Sequence, residues 1–353
     1  MDETRPRRGR RRKTPAPIVM RALAPGEKPT LRTIAEMTGL AVTTISRALN
    51  NAPELAADTR ARVQQLAAEI GYVPDRTALR LKTGRTNVIT LMLDPHDEML
   101  GFGQSMVAGV AAALRHTAYH LVITPNFGTA PIEAIRHLVR NRMADGIIFS
   151  RTGLDDERAK FLLEQNVPFV THGRTALGTP HAYVDYDNEV FAYHAVRRLV
   201  ARGRRRITIV LPPEGLTFGT HLRAGFLRGV AESGVAWELD HELTLDSPPD
   251  RIRETVLRRL GAPAPPDGFV CAGDAAALSV MAAIADAGQS IGDRVDIVAK
   301  QTSQIFRQVR PKVDAIYEDT ALAGREMGEL LLRRIAGEPA ERLQILHVPE
   351  ISS

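Results

Sequence analysis

Residues 30–50 read TLRTIAEMTGLAVTTISRALN and decide how the first part of the chain folds. Leu31 and Ile34 recur at helical spacing, and the hydroxyl of Thr30 can accept an unpaired amide of the first turn. Gly39 can supply the left-handed backbone that ends a helix, and a second helical pattern follows at once. Two short helices joined by a tight glycine turn predict a helix-turn-helix, whose second helix fits the major groove of DNA. The alternative is an ordinary helical hairpin, which many globular domains contain.

The residues that follow make this pattern specific. Residues 33–50 read TIAEMTGLAVTTISRALN, and residues 59–86 read TRARVQQLAAEIGYVPDRTALRLKTGRT. Together they resemble the DNA-binding headpiece and hinge of the lactose-repressor/galactose-repressor family of bacterial regulators. That family usually has serine before its second and third helices, where this chain has Ala41 and Ala56. Each missing cap is expected to cost about 1 kcal/mol of helix stability.

The resemblance also implies which side chains meet DNA. Val42, Thr43 and Arg47 occupy the positions from which the family reads base edges, and hydroxyl and guanidinium groups match base-edge acceptors. Thr44 and Ser46 are expected to hold phosphates, which set the register on the duplex. The predicted DNA-binding set is completed by residues at the ends of the two helices and in the hinge: Thr30, Asn50, Leu81 and Lys82.

The hinge helix is expected to form only when the protein is bound to DNA. In the resembling family it orders on operator DNA, pairs with its dimer mate and inserts a leucine, here Leu81, into the minor groove. Inserted apolar wedges of this kind unstack a base step and bend the duplex. The alternative is a linker whose leucines pack on the headpiece.

The formal net charge of +5 over 353 residues is unevenly distributed. Residues 1–13 carry seven basic and two acidic groups, residues 14–86 carry ten and six, and the remainder is net negative. A basic tail beside a helix-turn-helix is expected to add salt-dependent affinity for phosphates of any sequence. The chain shows no apolar run of membrane-spanning length and no secretory signal, and its single cysteine, Cys271, suits a reducing compartment. We therefore expect a cytoplasmic protein.

From Asn87 onward, buried strands alternate with amphipathic helices. Apolar strand patterns recur at residues 88–93, 120–124, 146–150, 168–172, 206–211, 268–272, 295–299 and 313–317. This alternation predicts doubly wound parallel sheets, and the number of strands favours two lobes. Ligands in such folds bind at the carboxyl ends of the strands. The resemblance implies the same plan, with a small effector between lobes joined by three crossings, which we place near Asp187, Glu318 and Gln344.

The predicted fold is therefore a small all-α helix-turn-helix headpiece followed by an α/β periplasmic-binding-protein-like domain of two doubly wound lobes. The expected divisions are a basic disordered tail (1–28), the headpiece (29–74), a hinge helix and linker (75–86), and an effector-binding and dimerisation domain (87–353). Within that domain we expect the first lobe at about 87–187 and 319–343, and the second at about 188–318 and 344–353. No heptad-patterned helix follows the final VPEISS, so we expect a homodimer rather than a tetramer.

The resemblance is clearest in the second lobe, at residues 221–230 (HLRAGFLRGV) and 271–284 (CAGDAAALSVMAAI). These segments place Arg223 at the family's effector arginine and Asp274 at its effector aspartate, a pair able to grip vicinal sugar hydroxyls. Five further strand-end residues are candidates for ligand contact, with a helix cap or surface ion pair as the alternative for each: Asp94, Phe102, Arg174, Asp187 and Glu318. At two segments expected to lie at the cleft, the sequence differs from the family pattern. His172-Gly173-Arg174 stands where many relatives have Asp-Arg, and AKQT at 299–302 replaces Gly-Tyr/Phe-Asp-Asp.

The sequence contains no constellation that predicts catalysis. Residues 101–106, GFGQSM, begin like a dinucleotide fingerprint but have methionine where the third glycine belongs. His116 and His120 lack the HExxH pattern of a metal site, and Cys271 lies in a predicted buried strand. We therefore expect no enzyme, cofactor or metal, but a repressor that binds double-stranded operator DNA under control of a small carbohydrate. Two alternatives stay open: a regulator with a purine-like corepressor, and a sugar-binding protein or sugar-processing enzyme with incidental N-terminal helices.

Overall fold

The chain divides into two units, Met1–Arg85 and Thr86–Ser353. This computed structural model describes residues 18–24, 26–73, 84–94, 99–125, 130–239 and 241–351. Leu81, Lys82 and the basic tail at 1–13, on which three predictions rest, lie outside the described residues. Among the residues that are described, no helix has the length and apolar character needed to span a membrane.

Three helices build the first unit: α1 (Leu31–Thr38), α2 (Val42–Leu49) and α3 (Ala57–Glu69). Thr30 caps α1, because its hydroxyl accepts a hydrogen bond from the Thr33 amide at 3.2 Å. The Thr33 hydroxyl in turn accepts one from the Thr30 amide at 3.1 Å. Gly39 ends α1 in the left-handed region, with φ at 69°. No side chain caps α2 at Ala41 or α3 at Ala56. The cap and turn chemistry read from the sequence is therefore present in the structure.

The chain before α1 also belongs to this unit. Ile18 packs against the apolar core that the three helices enclose, and the Val19 amide donates to the Met37 carbonyl at 2.9 Å. Arg21 forms an ion pair with Glu36 at 3.3 Å. The prediction of a disordered tail over residues 1–28 is therefore wrong for residues 18–21, because an apolar contact, a backbone hydrogen bond and an ion pair hold this segment.

The second unit contains eleven strands in its described part, listed here in chain order: β1 (Val88–Leu93), β2 (His120–Pro125), β3 (Gly146–Phe149), β4 (Phe169–His172), β5 (Ala182–Tyr186), β6 (Arg206–Val210), β7 (Ala236–Leu239), β8 (Gly268–Cys271), β9 (Asp296–Gln301), β10 (Asp314–Tyr317) and β11 (Gln344–His347). Its described α-helices are α4 (Met99–Leu114), α5 (Pro131–Arg140), α6 (Glu157–Glu164), α7 (Asn188–Ala201), α8 (Thr217–Ser233), α9 (Pro249–Leu260), α10 (Asp274–Asp286) and α11 (Thr320–Ile335). Two short 3-10 helices are Ile305–Arg307 and Ala340–Arg342.

These strands form two parallel sheets, one in each lobe, as the sequence predicts. The first sheet has the order β11-β5-β4-β3-β1-β2, and the second has the order β10-β9-β8-β6-β7. The chain enters the second lobe between β5 and α7 and returns to the first between β10 and α11. The crossing predicted near Gln344 is wrong, because Gln344 pairs with Tyr183 and so places β11 in the first sheet. The chain crosses after β11, since Ile351 packs against the core of the second lobe.

The first lobe depends on a close approach between α4 and α11. A Cβ at Gly109 would lie 2.1 Å from the carbonyl oxygen of Ala321 and 2.7 Å from the amide nitrogen of Arg325. Gly109→Ala must therefore force these helices apart, and we expect it to lower the free energy of unfolding by about 1–3 kcal/mol in urea titrations. Gly103→Ala in the same helix is the control, because its Cβ would meet only a Leu93 methyl at 3.7 Å. Equal stabilities of the two variants would contradict this packing.

Candidate functional site

The outer face of α2 carries the side chains predicted to read DNA. Val42, Thr43 and Arg47 are exposed, and Thr44 and Ser46 are half-buried. Arg47 forms an ion pair at 3.0 Å with Glu54, and the two side chains stay 63% and 47% exposed. An exposed pair of this kind contributes little to stability. The Arg47 guanidinium can therefore exchange this partner for a base edge at small cost.

Two other residues predicted to contact DNA are engaged inside the headpiece. The Thr30 hydroxyl is bound in the cap of α1. The side-chain amide of Asn50 donates to the Ser46 carbonyl at 2.7 Å and closes the last turn of α2. Both residues position the helices in this structure, and their contact with DNA stays a prediction.

A cavity of about 700 Å³, its open mouth included, lies between the two lobes. It sits at the carboxyl ends of strands from both sheets, where an open α/β fold binds ligands. The first lobe contributes Phe102, Ser150, Arg151, Thr152, His172 and Asp185, the second contributes Phe218, Leu245, Ala272, Lys300 and Thr302, and the crossings contribute Asn188 and Glu318.

A buried carboxylate at this cavity joins the two lobes. Glu318 follows β10, and its Oε1 lies 3.2 Å from His172 Nε2 of the first lobe. Its Oε2 lies 2.9 Å from Lys300 Nζ of the second lobe, which also donates to Asn188 Oδ1 at 3.0 Å. Burial raises the pKa of Glu318, but the charges on Lys300 and His172 outweigh it and hold that pKa at about 2. Glu318 is therefore ionised at neutral pH, and its carboxylate links His172 of the first lobe to Lys300 of the second.

A second carboxylate lies in the wall of the first lobe. Asp185 Oδ1 accepts a hydrogen bond from the Tyr186 amide at 2.9 Å, and Arg174 Nε lies 3.1 Å from Oδ2. Burial raises the pKa of Asp185, and the neighbouring charges on His172 and Arg174 offset that only in part. Arg174, predicted to touch the ligand, therefore acts here on Asp185.

Each lobe contributes one phenyl ring to the cavity. The Phe102 ring packs edge-on against His172, with ring centroids 5.1 Å apart. In the second lobe, Lys300 Nζ lies 5.7 Å from the centroid of the Phe218 ring. Apolar rings beside a few fixed polar groups are the usual lining of small-molecule sites.

Direct contacts at the cavity rim hold the lobes together. Arg151 of the first lobe forms an ion pair with Asp246 of the second at 2.5 Å. The Thr217 amide donates to the Thr152 carbonyl at 2.9 Å, so a backbone hydrogen bond also joins the lobes. These contacts describe a closed cleft.

The structure brings only part of the predicted ligand set to the cavity. Phe102 and Glu318 line it. Asp274 is not among the described lining residues, and its carboxylate accepts hydrogen bonds from the amide and hydroxyl of Thr302, each at 3.2 Å. Asp187 accepts a hydrogen bond from the Val190 amide at 3.0 Å and so caps α7, which was the alternative reading. Asp94 is not among the described residues that line the cavity.

The structure does not bring Arg223 to the cavity. Its side chain is exposed and does not belong to the described cavity wall. Helix α8 directs Phe218 to the cavity and Leu222 into the core of the second lobe. The residue after Leu222 then faces another direction, because successive helical positions are rotated by about 100°. A ligand contact by Arg223 therefore stays a prediction that this arrangement of the lobes does not support.

Sequence reasoning found only Phe102 and Glu318 among the lining residues, and the ligand contacts that it missed include Ser150, Asp185, Asn188 and Lys300. A signal existed for Ser150, because it closes the strand pattern predicted at 146–150. Lys300 was visible only as a departure from the family pattern. The strand that carries Asp185 was not predicted.

Comparisons with known proteins add independent evidence. The profile described as bacterial regulatory proteins, lacI family, matches residues 30–75, and one described as a periplasmic binding protein-like domain matches residues 196–352. The HTH-type transcriptional regulator AglR of Rhizobium meliloti (strain 1021) is 32% identical over 316 residues, which cover 87% of each chain. The HTH-type transcriptional regulator RafR of Escherichia coli is 31% identical, covering 90% of this chain and 96% of RafR. A solved structure of the transcriptional regulator CelR in complex with cellobiose superposes with a TM-score of 0.66 at 26% identity, covering 92% of this chain and 99% of that one.

Proposed function

The chain belongs to the LacI family of bacterial regulatory proteins, and from that premise we propose that it is a homodimeric repressor controlled by a small neutral carbohydrate. Family membership makes it a DNA-binding transcriptional regulator. We propose four further properties: the protein represses transcription, forms a homodimer, acts in the cytoplasm and binds a small neutral carbohydrate as its effector. The first unit contains the helix-turn-helix that binds DNA, and the second contains the proposed ligand site.

The headpiece supports operator recognition through α2. Val42 offers an apolar surface, and Thr43 and Arg47 offer donors to base edges in the major groove. Thr44 and Ser46 are placed to hold phosphates, and the basic residues at 1–13 would add affinity for any duplex. Leu81 and Lys82 complete the proposed contact as the minor-groove part of the hinge.

The cavity between the lobes is the observation that carries the proposed effector. It lies between the lobes, and both lobes contribute a phenyl ring together with hydrogen-bonding groups. The CelR structure, similar to this chain over nearly its whole length, contains cellobiose in its complex. A carbohydrate is therefore the ligand class that both the cavity lining and the CelR–cellobiose complex favour.

The charges around the cavity favour an uncharged ligand. Lys300 is paired with Glu318, and Arg151 is paired with Asp246. The remaining carboxylate in the described wall, Asp185, is paired with Arg174. A sugar phosphate or sugar acid would need a cation that is not already neutralised within the protein. We therefore propose a neutral polyhydroxy compound.

Control of DNA binding is proposed to follow from the cleft. A ligand that contacts both lobes favours one lobe arrangement only by the difference in its affinity for the two. Within a dimer, a change of lobe angle would move the two hinge segments together or apart. Such coupling is typically worth about 1–3 kcal/mol, or roughly 5- to 150-fold in operator affinity.

Calorimetric titration of the full chain tests the ligand class. The panel contains cellobiose, maltose, melibiose, galactose, glucose 6-phosphate and guanine. We expect at least one neutral sugar to bind and glucose 6-phosphate to bind more weakly than glucose-containing neutral sugars. Tight binding of guanine alone would replace the carbohydrate by a purine, and binding of the sugar phosphate alone would contradict the proposed neutrality.

A further inference from the structure

Buried polar atoms without a hydrogen-bond partner converge on the cavity. Among the described residues that line it, three carry such an atom: Ser150 Oγ, Asp185 Oδ2 and Glu318 Oε1, the last of which lies 3.2 Å from His172 Nε2. Buried polar groups in folded proteins are almost always hydrogen-bonded, because leaving one unpaired costs its full desolvation. The two that belong to the first lobe, Ser150 and Asp185, therefore point to a ligand that completes their hydrogen bonding.

The Ser150 hydroxyl is held at the cavity by the end of a strand. Ser150 follows β3 and is 6% exposed. Its backbone carbonyl accepts a hydrogen bond from Arg158 at 3.3 Å, whereas its hydroxyl has no partner among the described atoms. A hydroxyl can donate one hydrogen bond and accept others. Ser150 can therefore meet either the oxygen or the proton of a ligand hydroxyl.

Asp185 differs, because its charge is balanced and its Oδ1 is hydrogen-bonded to the Tyr186 amide, while its Oδ2 accepts no hydrogen bond from a described residue. The side chain is 3% exposed, and Arg174 Nε lies 3.1 Å from Oδ2. That guanidinium neutralises the carboxylate but does not make a hydrogen bond of normal geometry to Oδ2. An ionised carboxylate only accepts hydrogen bonds. We therefore expect a hydrogen-bond donor of the ligand to bind Asp185 Oδ2.

Strand register brings the two groups to the same edge of the first sheet. Phe149 of β3 pairs with Thr171 of β4, so Ser150 lies beside His172. His172 in turn pairs with Val184 of β5, the residue before Asp185. The hydroxyl and the carboxylate thus flank the end of β4, in the cavity wall that also contains Phe102.

We propose that Ser150 and Asp185 form the subsite that reads the hydroxyl groups of the effector. This inference rests on the proposed function and replaces the predicted pair Arg223 and Asp274, neither of which lines the described cavity. One ligand hydroxyl donates to Asp185 Oδ2, and a second hydrogen-bonds Ser150 Oγ. The effector is then a neutral sugar with two free hydroxyls on the edge that faces the first lobe, and analogues lacking either hydroxyl bind less tightly.

The carboxylate gives this subsite a pH signature. Asp185 is faced by His172 of β4, by Arg174 after it and by His221 of α8, with the Lys300–Glu318 pair beyond. Burial raises its pKa, and a ligand hydroxyl that donates to it stabilises the charged form. Binding therefore lowers that pKa and releases a proton, so the affinity is greatest above the raised pKa and falls as the pH is lowered through it.

Three variants of the full chain test the subsite, with the tightest-binding member of the panel as probe. Ser150→Ala should weaken binding roughly 3- to 10-fold while leaving the melting temperature unchanged or higher, because it removes an unpaired buried hydroxyl. Asp185→Asn should weaken binding at least about 10-fold and abolish the pH dependence of the remaining affinity. Ser233→Ala is the matched control, because the Ser233 hydroxyl is also buried and unpaired among described atoms but lies at the end of α8, outside the cavity wall.

The outcomes separate this inference from the proposed function. Wild-type affinity in both Ser150→Ala and Asp185→Asn overturns the subsite, as does a Ser150→Ala variant that loses stability but not affinity. If guanine proves to be the probe, weakened variants keep the two residues as ligand contacts and overturn only the carbohydrate. A wild-type chain that binds no member of the panel overturns both.

Discussion

Replacing Lys300 with methionine is expected to lower the free energy of unfolding by about 3–5 kcal/mol, because it leaves a buried carboxylate without its main counter-charge. Lys300 Nζ lies 2.9 Å from Glu318 Oε2, and Glu318 is 2% exposed. The loss also removes the hydrogen bond to Asn188 at 3.0 Å. Urea unfolding of the full chain at neutral pH measures the change.

Two further variants identify the cause of that loss. Lys312→Met makes the same substitution at an exposed lysine and should change stability by less than about 0.5 kcal/mol. Adding Glu318→Gln to Lys300→Met removes the uncompensated charge and should recover much of the lost stability. Equal stability of Lys300→Met and Lys312→Met would contradict the ion pair.

The fall in the free energy of unfolding of the wild-type chain at low pH also tests the Lys300–Glu318 pair. The pKa of Glu318 falls from its ordinary value of 4.5 in the unfolded chain to about 2 in the folded one, so the unfolded chain takes up the proton first. The contribution of the pair is fully present above pH 4.5 and is lost as the pH falls through about 2, a change of roughly 3 kcal/mol. Glu318→Gln should lack this part of the acid loss.

Arg47→Ala is expected to weaken binding to the preferred operator by about 1–3 kcal/mol, or roughly 5- to 150-fold, with little effect on random duplex. Arg47 is the long basic side chain on the outer face of α2, and its ion-pair partner, Glu54, is itself 47% exposed. A guanidinium that reads guanine contributes specificity, whereas one that meets only phosphate contributes to every sequence alike. Fluorescence anisotropy with a selected duplex and a scrambled one measures both affinities.

Glu54→Gln is the control for Arg47, because it removes the ion-pair partner at 3.0 Å and leaves the guanidinium in place. We expect Glu54→Gln to bind the selected duplex at least as tightly as wild type. Equal losses on selected and scrambled duplexes for Arg47→Ala, or the same loss of specificity in Glu54→Gln, would rule out base reading by Arg47.

The headpiece could be predicted because its signals are local. The Thr30 cap, the left-handed Gly39 and the uncapped starts at Ala41 and Ala56 involve residues within a few positions of one another. The parallel sheets also followed from apolar runs, which are long where both faces of a strand are buried. Three strands escaped prediction: β5 contains the buried Asp185, and β7 and β11 are short edge strands with exposed positions.

The position of the cavity could be predicted from the sequence, but most of the residues that line it could not. Strand ends indicated the correct edge of each sheet, and Phe102 and Glu318 do line the cavity. Arg223 was misplaced because a helix changes face within one residue, which no strand pattern reveals. The contact of the Asp274 carboxylate with Thr302 could not be predicted either, because it joins residues that are 28 positions apart in the chain. The pairing of Ser150 with Asp185 depends on strand register, which brings together residues far apart in the chain.

The most direct test measures operator affinity while the cleft is filled. A duplex is first selected from a random pool by the purified full chain, and its dissociation constant is then measured with and without the sugar that binds most tightly. A link between cleft and recognition helix predicts a change of at least about fivefold with sugar and none with a non-binding sugar. A protein that binds the selected duplex with the same affinity at saturating sugar would contradict the proposed control of DNA binding by the cleft.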